Sequence, residues 1–298
     1  VESSMITWKY NNVAAYNGIK YYFSSSQIDY GFNDLFYTGD TWYYIKGGKV
    51  DTGFNSLYYF NNNWYYIENG QITWTYTSLV KYNGVIYYVD RSMIRWNHRG
   101  LVESNGTLYY VSNSMVDYNF NDLYEQDGKY YYIKNGQVGK SYTGICKYNG
   151  KRYYIENGVI NSQYTGVVEN GGNYLYVTKG IVDENYTALT YYKNNWYYFD
   201  NGSVNWNYSN LILYNNTWYY IHKGMIHWDY NGVVQYYQTK YCVKNGEVAW
   251  NYTGLAQSED GTWYYIKKGV VDYSHSGLIY YNNEWFYVDH GVINWDYC

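Results

Sequence analysis

"NLILYNNTWYYIHKGMIHWDYN", Asn210–Asn231, is the stretch whose reading decides the fold. Two runs rich in aromatic and aliphatic residues flank Asn215-Asn216. Asn tolerates the positive φ that both central residues of a type I′ turn require, so the two runs read as strands of a hairpin. Lys223-Gly224 then breaks the second strand, and a short extended piece follows around Ile226. A single hairpin of this size cannot bury its own apolar residues. It needs neighbours.

The chain supplies them. Full repeats of 22 residues begin at Asn12, Asp34, Ser56, Ser78, Gly100, Asp122, Gly144, Gly166, Ala188, Asn210, Gly232, Gly254 and Gly277, and residues 1–11 are the tail of another. Only the Gly254 repeat is longer, with its extra residue inside "SEDGT", Ser258–Thr262, where a turn tolerates it. Positions are numbered 1 to 22 within a repeat. Position 2 is always Val, Leu or Ile; position 12 is Ile, Val or Phe; position 17 is Ile or Val. Positions 10 and 11 are Tyr-Tyr in ten repeats, and position 15 is Gly in ten and Ser in three. Positions 2–5 and 8–13 read as strands, with the turn at 6–7, as in Asn83-Gly84, Asn105-Gly106 and Asp127-Gly128.

Stacked copies of such a hairpin build a continuous core from local contacts. The expectation is an all-β, elongated β-solenoid of 13 stacked hairpins, forming a single repeat domain over residues 1–298. Positions 2, 12 and 17 and most tyrosines are expected to form its inner seam.

Composition agrees with that class. The chain has 51 Tyr and 13 Trp among 298 residues and 24% aromatics, which leaves no material for a Leu-rich helical core. The 21 basic residues are scattered and the net charge is −4, which argues against a nucleic-acid partner. No apolar run approaches the roughly 18 residues that a membrane span needs, so membrane insertion is not expected. "VESSMITWKY" has no charged start or apolar core of a signal peptide and opens in mid-repeat, which suggests a piece of something longer. Cys146, Cys242 and Cys298 occupy three different repeat positions without a CxxC, so no metal, redox centre or cofactor is expected. Cys298 stands where other repeats carry Thr, Ser, Asn or Arg, and nothing in the pattern explains it.

Every Trp falls at one of two positions. Position 9 holds Trp42, Trp64, Trp196, Trp218, Trp263 and Trp285; position 19 holds Trp8, Trp74, Trp96, Trp206, Trp228, Trp250 and Trp295. Both positions also accept Lys and other polar residues, which a packed interior does not. They are expected to face solvent at least in part. A two-residue turn pairs position 4 with position 9, so Tyr37, Tyr59, Tyr191 and Tyr280 should sit beside Trp42, Trp64, Trp196 and Trp285. Exposed aromatic clusters mark binding surfaces; flat rings suit sugar faces, and a box of rings suits a quaternary ammonium. No Trp lies between Trp96 and Trp196. Ligand sites are therefore expected in two stretches, Trp42–Trp96 and Trp196–Trp295, with a spacer between.

"TWYYIKGGKVDTGF", Thr41–Phe54, and "NWYYIENGQITW", Asn63–Trp74, resemble the bacterial cell-wall-binding repeat family, which includes choline-binding modules, glucan-binding tails of glucansucrases and repeat tails of glucosylating toxins. The resemblance implies a non-catalytic solenoid on secreted or cell-surface proteins, with ligands between consecutive hairpins. Choline-binding members place a Met two residues after the Gly. Here that residue is Ile or Val, and Met5, Met93, Met115 and Met225 fall one residue early. On that ground choline ranks below a glycan or wall polymer.

The five His form no metal or catalytic array, and the carboxylates recur about once per repeat rather than in one unique constellation. The expected function is non-catalytic, multivalent binding of a cell-wall polymer or other glycan. The alternative is a structural surface rod or self-assembling filament whose exposed aromatics join chains.

Overall fold

The computed structural model describes residues 9–297; Met5, Trp8 and Cys298 lie outside the described residues. The fold is all-β, with one short 3-10 turn at Trp295–Tyr297. Two compact bodies divide the chain. The first comprises Val1–Thr143 with Ile155–Ile160, the second Gly144–Tyr154 with Asn161–Cys298. Both are built from the same stacked hairpin.

Each repeat has the expected strands. In the Asn210 repeat they are Asn210–Tyr214 and Thr217–His222, with a third, two-residue strand at Met225–Ile226. The turn residues Asn215 and Asn216 both have positive φ, of 47° and 65°. This fixes the hairpin register, so position 4 faces position 9: Leu213 opposite Trp218, Tyr37 opposite Trp42, Tyr59 opposite Trp64.

The third strand joins neighbouring repeats. Position 17 pairs back to position 12 of its own repeat, as Ile226 does to Ile221. Position 16 pairs with position 10 of the preceding repeat, as in Tyr65 with Met93 and Tyr197 with Met225. The position-11 amide also donates across the junction to the position-15 carbonyl, as Tyr198 does to Gly224 at 2.8 Å. Position 15 thus does more than break a strand. A Cβ on Gly202 would lie 2.4 Å from the Asp183 carbonyl oxygen, and one on Gly70 2.6 Å from that of Asp51. Glycine there lets consecutive backbones touch.

Position 12 is fully buried from Ile45 onward in every repeat, as at Ile67, Val111, Phe199 and Val288. Tyrosines at position 11 lie on the position-21 ring of the same repeat: Tyr176 on Tyr186 at 3.5 Å between centroids, Tyr66 on Tyr76 at 3.9 Å. Two departures from the expected seam stand out. Leu278, at position 2 of the Gly277 repeat, is 63% exposed, unlike its buried counterparts Leu211 and Leu255. Position-10 rings such as Tyr87 and Phe286 line the groove between repeats, whereas Tyr197 and Tyr264 at the same position are buried in core clusters.

Candidate functional site

Within each body, grooves between consecutive repeats are walled by four positions. Position 9 comes from the first repeat; positions 5, 10 and 19 come from the next. Trp64 meets Tyr82 edge-on at 5.2 Å, and Tyr87 meets Trp96 edge-on at 6.0 Å. Between the two pairs lies a cavity of about 200 Å³, floored by Leu57 and Ile94. Trp263 with Tyr281 and Phe286 with Trp295 enclose a like cavity of about 180 Å³ over Leu255 and Ile293.

The same pairs recur at other junctions. In the first body Trp42 meets Phe60 at 5.4 Å and Tyr65 meets Trp74 at 5.9 Å. In the second body Trp196 meets Tyr214 at 5.4 Å and Tyr219 meets Trp228 at 5.7 Å. Trp218 meets Tyr236 at 5.2 Å and Tyr241 meets Trp250 at 5.8 Å. At one junction Tyr174 replaces Trp at position 9. Its ring lies 5.3 Å from Tyr192, 5.0 Å from Tyr197 and 5.9 Å from Trp206, and the Trp206 Nε1 donates to Asn173 Oδ1 at 3.1 Å. Among the described residues the first body therefore carries two such aromatic boxes and the second four.

The expected site residues divide by role. Trp42, Trp64, Trp196, Trp218 and Trp263 are half-buried box walls, and Trp74, Trp96, Trp206, Trp228, Trp250 and Trp295 are exposed walls on the opposite side. Tyr37, Tyr59, Tyr191 and Tyr280 stand 5.1 to 5.5 Å from their Trp partners. Tyr59 does not line the cavity at Trp64; it backs the indole from the other side. Trp285, 63% exposed, has Tyr280 beside it and does not line the cavity walled by Trp263 and Trp295.

Sequence reasoning missed Phe60, Tyr82, Tyr192, Tyr214, Tyr236 and Tyr281 at position 5, the position-10 rings, and Tyr174. A signal for position 5 was present. Position 5 is aromatic after an aromatic position 9, and is Thr38, Ser104, Gln126, Asn170 or Ser258 after Lys20, Ile86, Leu108, Arg152 or Lys240. Such coupling marks facing side chains.

The second stretch holds one junction without an indole at position 9. At the Gly232–Gly254 junction Lys240 occupies position 9, and its Nζ stands 4.0 Å from the Tyr264 ring centroid while donating to the phenol oxygen. Lys20 does the same to Tyr43 in the first body, at 4.2 Å. At these two junctions, where Lys replaces the indole, the chain's own ammonium takes a seat on the position-10 ring. In the spacer Arg152 and Glu184 replace two aromatic walls and pair at 3.3 Å. Among the described residues no group of His, Cys, Asp and Glu could hold a metal, and no helix is long and apolar enough to cross a membrane.

Nine segments match the family described as choline-binding repeat: 31–51, 53–73, 119–138, 141–161, 163–183, 207–227, 229–248, 251–272 and 276–294. The sequence has no match among curated proteins. Among solved structures, CbpJ from Streptococcus pneumoniae TIGR4 is 17% identical over 88% of this chain and 99% of its own, with a TM-score of 0.32. Choline binding protein F from Streptococcus pneumoniae is 18% identical over 88% and 98%, with a TM-score of 0.31. The modular autolysin LytC from Streptococcus pneumoniae is 13% identical over 88% and 52%, with a TM-score of 0.32. Ranking choline below a glycan, on the missing Met, finds no support in the nine matched segments. The boxes give the physical reason. Ile94 and Ile293 stand where that Met would be and line their cavities as apolar walls in its place.

Proposed function

Because the chain belongs to the choline-binding repeat family, we propose that its aromatic boxes hold the trimethylammonium groups of choline displayed on a bacterial cell-wall polymer. The observation that carries this reading is the pair of self-filled junctions. At both Lys20 and Lys240 an ammonium lies over a position-10 ring, so the groove is electrostatically suited to a cation. A quaternary ammonium differs from lysine in having no N–H to satisfy, and an all-aromatic wall suits it better than the lysine's phenol contact.

Magnitudes favour many weak sites over one strong one. Three or four ring contacts at about 1 kcal/mol each give about −4 kcal/mol, which is about millimolar for one box. Several boxes on one chain, meeting many cholines on one polymer, bind far more tightly through effective concentration. That arrangement fits non-catalytic anchoring of a secreted or cell-surface protein. Both bodies carry the same repeat, which supports reading residues 1–298 as one repeat domain.

Tryptophan fluorescence during titration with choline, and separately with an isomaltooligosaccharide, tests the proposal. Choline and tetramethylammonium should both perturb the indoles, and Trp64→Ala with Trp218→Ala should weaken the response. A response to the oligosaccharide alone would sink it.

A further inference from the structure

Twelve repeats carry Tyr at position 11, and the Gly232 repeat carries Cys242. Elsewhere that ring lies on the position-21 aromatic, at separations from 3.5 Å for Tyr176–Tyr186 to 5.4 Å for Tyr287–Tyr297. Tyr252 therefore has no position-11 ring against it. The Lys244 ammonium lies over its face instead, 3.4 Å from the centroid.

The opposite wall is short as well. A position-11 ring also meets position 3 of the next repeat, as Tyr22 meets Phe36 at 4.7 Å and Tyr110 meets Tyr124 at 4.8 Å. At this junction position 3 is Ala256. The two small residues coincide with a cavity of about 310 Å³, lined in part by Cys242, Lys244, Tyr252, Ala256, Trp263 and Tyr281. It shares Leu255, Trp263 and Tyr281 with the neighbouring box, but it does not reach that box's Ile293 and Trp295. Cys242 is fully buried, and burial pushes its thiol up to about 11, so it is a small neutral floor and not a nucleophile.

We propose that this cavity is a second kind of binding site, which takes one planar aromatic ring in the seat that the position-11 tyrosine fills in other repeats. The ring would stack on Tyr252 and displace the Lys244 ammonium from its face. Freed from that face, the ammonium can meet a hydroxyl or carboxylate on the ring's edge. The ligand class is thus a monocyclic phenol or aryl carboxylate, a chemistry distinct from the cations of the boxes.

The probe is p-cresol, which is the tyrosine side chain without its backbone, titrated into the full chain by calorimetry. A saturable site is expected in the wild type, with intermolecular NMR contacts between p-cresol and Tyr252. Cys242→Tyr restores the covalent ring and should weaken that binding by about tenfold or more. Ala256→Phe crowds the cavity from the other wall, where Phe36 stands against Tyr22 at its own junction, and serves if Cys242→Tyr does not fold. Absence of contacts to Tyr252 in the wild type, or undiminished affinity in a folded seat-filling variant, overturns the proposal.

Discussion

Replacing Gly202 with Ala should loosen one junction between repeats far more than replacing Gly150 does. Both glycines lie in the second body with nearly the same φ, +77° and +78°. Alanine at that φ costs about 1 kcal/mol in either place. A Cβ on Gly150 meets nothing within 4 Å, whereas one on Gly202 falls 2.4 Å from Asp183 O and 3.1 Å from Glu184 Cα. The strands must part by about 1 Å to reach ordinary contact. That movement breaks two backbone bonds, Tyr176 N–H to Gly202 O and Gly202 N–H to Tyr186 O, both 2.9 Å. At about 1 kcal/mol each they bring the total to about 3 kcal/mol, against about 1 kcal/mol for Gly150→Ala. A repeat array does not unfold as one two-state unit, so local hydrogen exchange is the better assay. The Tyr176 amide should exchange about 30-fold faster in Gly202→Ala than in Gly150→Ala, the equivalent of about 2 kcal/mol. Equal acceleration in the two variants would mean that glycine serves φ alone and that close approach between repeats does not explain position 15.

The boxes and the histidine at position 21 give further tests. Tyr82→Ser, which installs the residue found at Ser104, removes one wall and should weaken choline at that box by about 1 kcal/mol, about fivefold, in calorimetry. In the 298-residue chain Trp263→Ala should weaken one choline site by about fivefold or more while Trp285→Ala leaves every site unchanged, because only the first indole lines a box cavity; equal losses would refute the assignment of walls. His98 lies on Tyr88 at 4.0 Å with its Nε2 buried and unpartnered. Burial lowers its pKa from the ordinary 6.5, with Asp90 partly opposing. The unfolded chain then takes up a proton that the folded chain refuses, so the histidine's contribution is intact above 6.5 and is lost as pH falls through 6.5 toward the lower folded value. His98→Phe should flatten the fall in Tm between about pH 7.5 and 5, and an unchanged slope would place the titrating group elsewhere.

How much was legible in the sequence depended on what the repeat compares. The register followed from Asn-Asn and Asn-Gly turns, because positive φ at two adjacent residues admits few side chains. The partners of position 9 across the hairpin followed from that register, and Tyr37–Trp42 and Tyr59–Trp64 stand as paired. Position 12 was legible as core because substitution there is confined to aliphatics and Phe. The box was not, because its fourth wall comes from the preceding repeat. Tyr87 and Tyr88 are neighbours with the same name, yet one walls a groove and the other lies on His98 in the seam.

The sequence by itself determined the unit: a 22-residue hairpin, its turns, its apolar triplet, and the two positions that Trp occupies. Those properties are local, and thirteen copies average away the ambiguity of one. Tertiary structure alone decided how one unit lies on the next. That packing turned position 15 from a strand break into a contact between backbones, made Tyr82 and Tyr214 walls of grooves between repeats, and seated the Lys20 and Lys240 ammoniums on the rings of the following repeat. A pattern read along one repeat names its residues; only the junction between two repeats says which of them face each other.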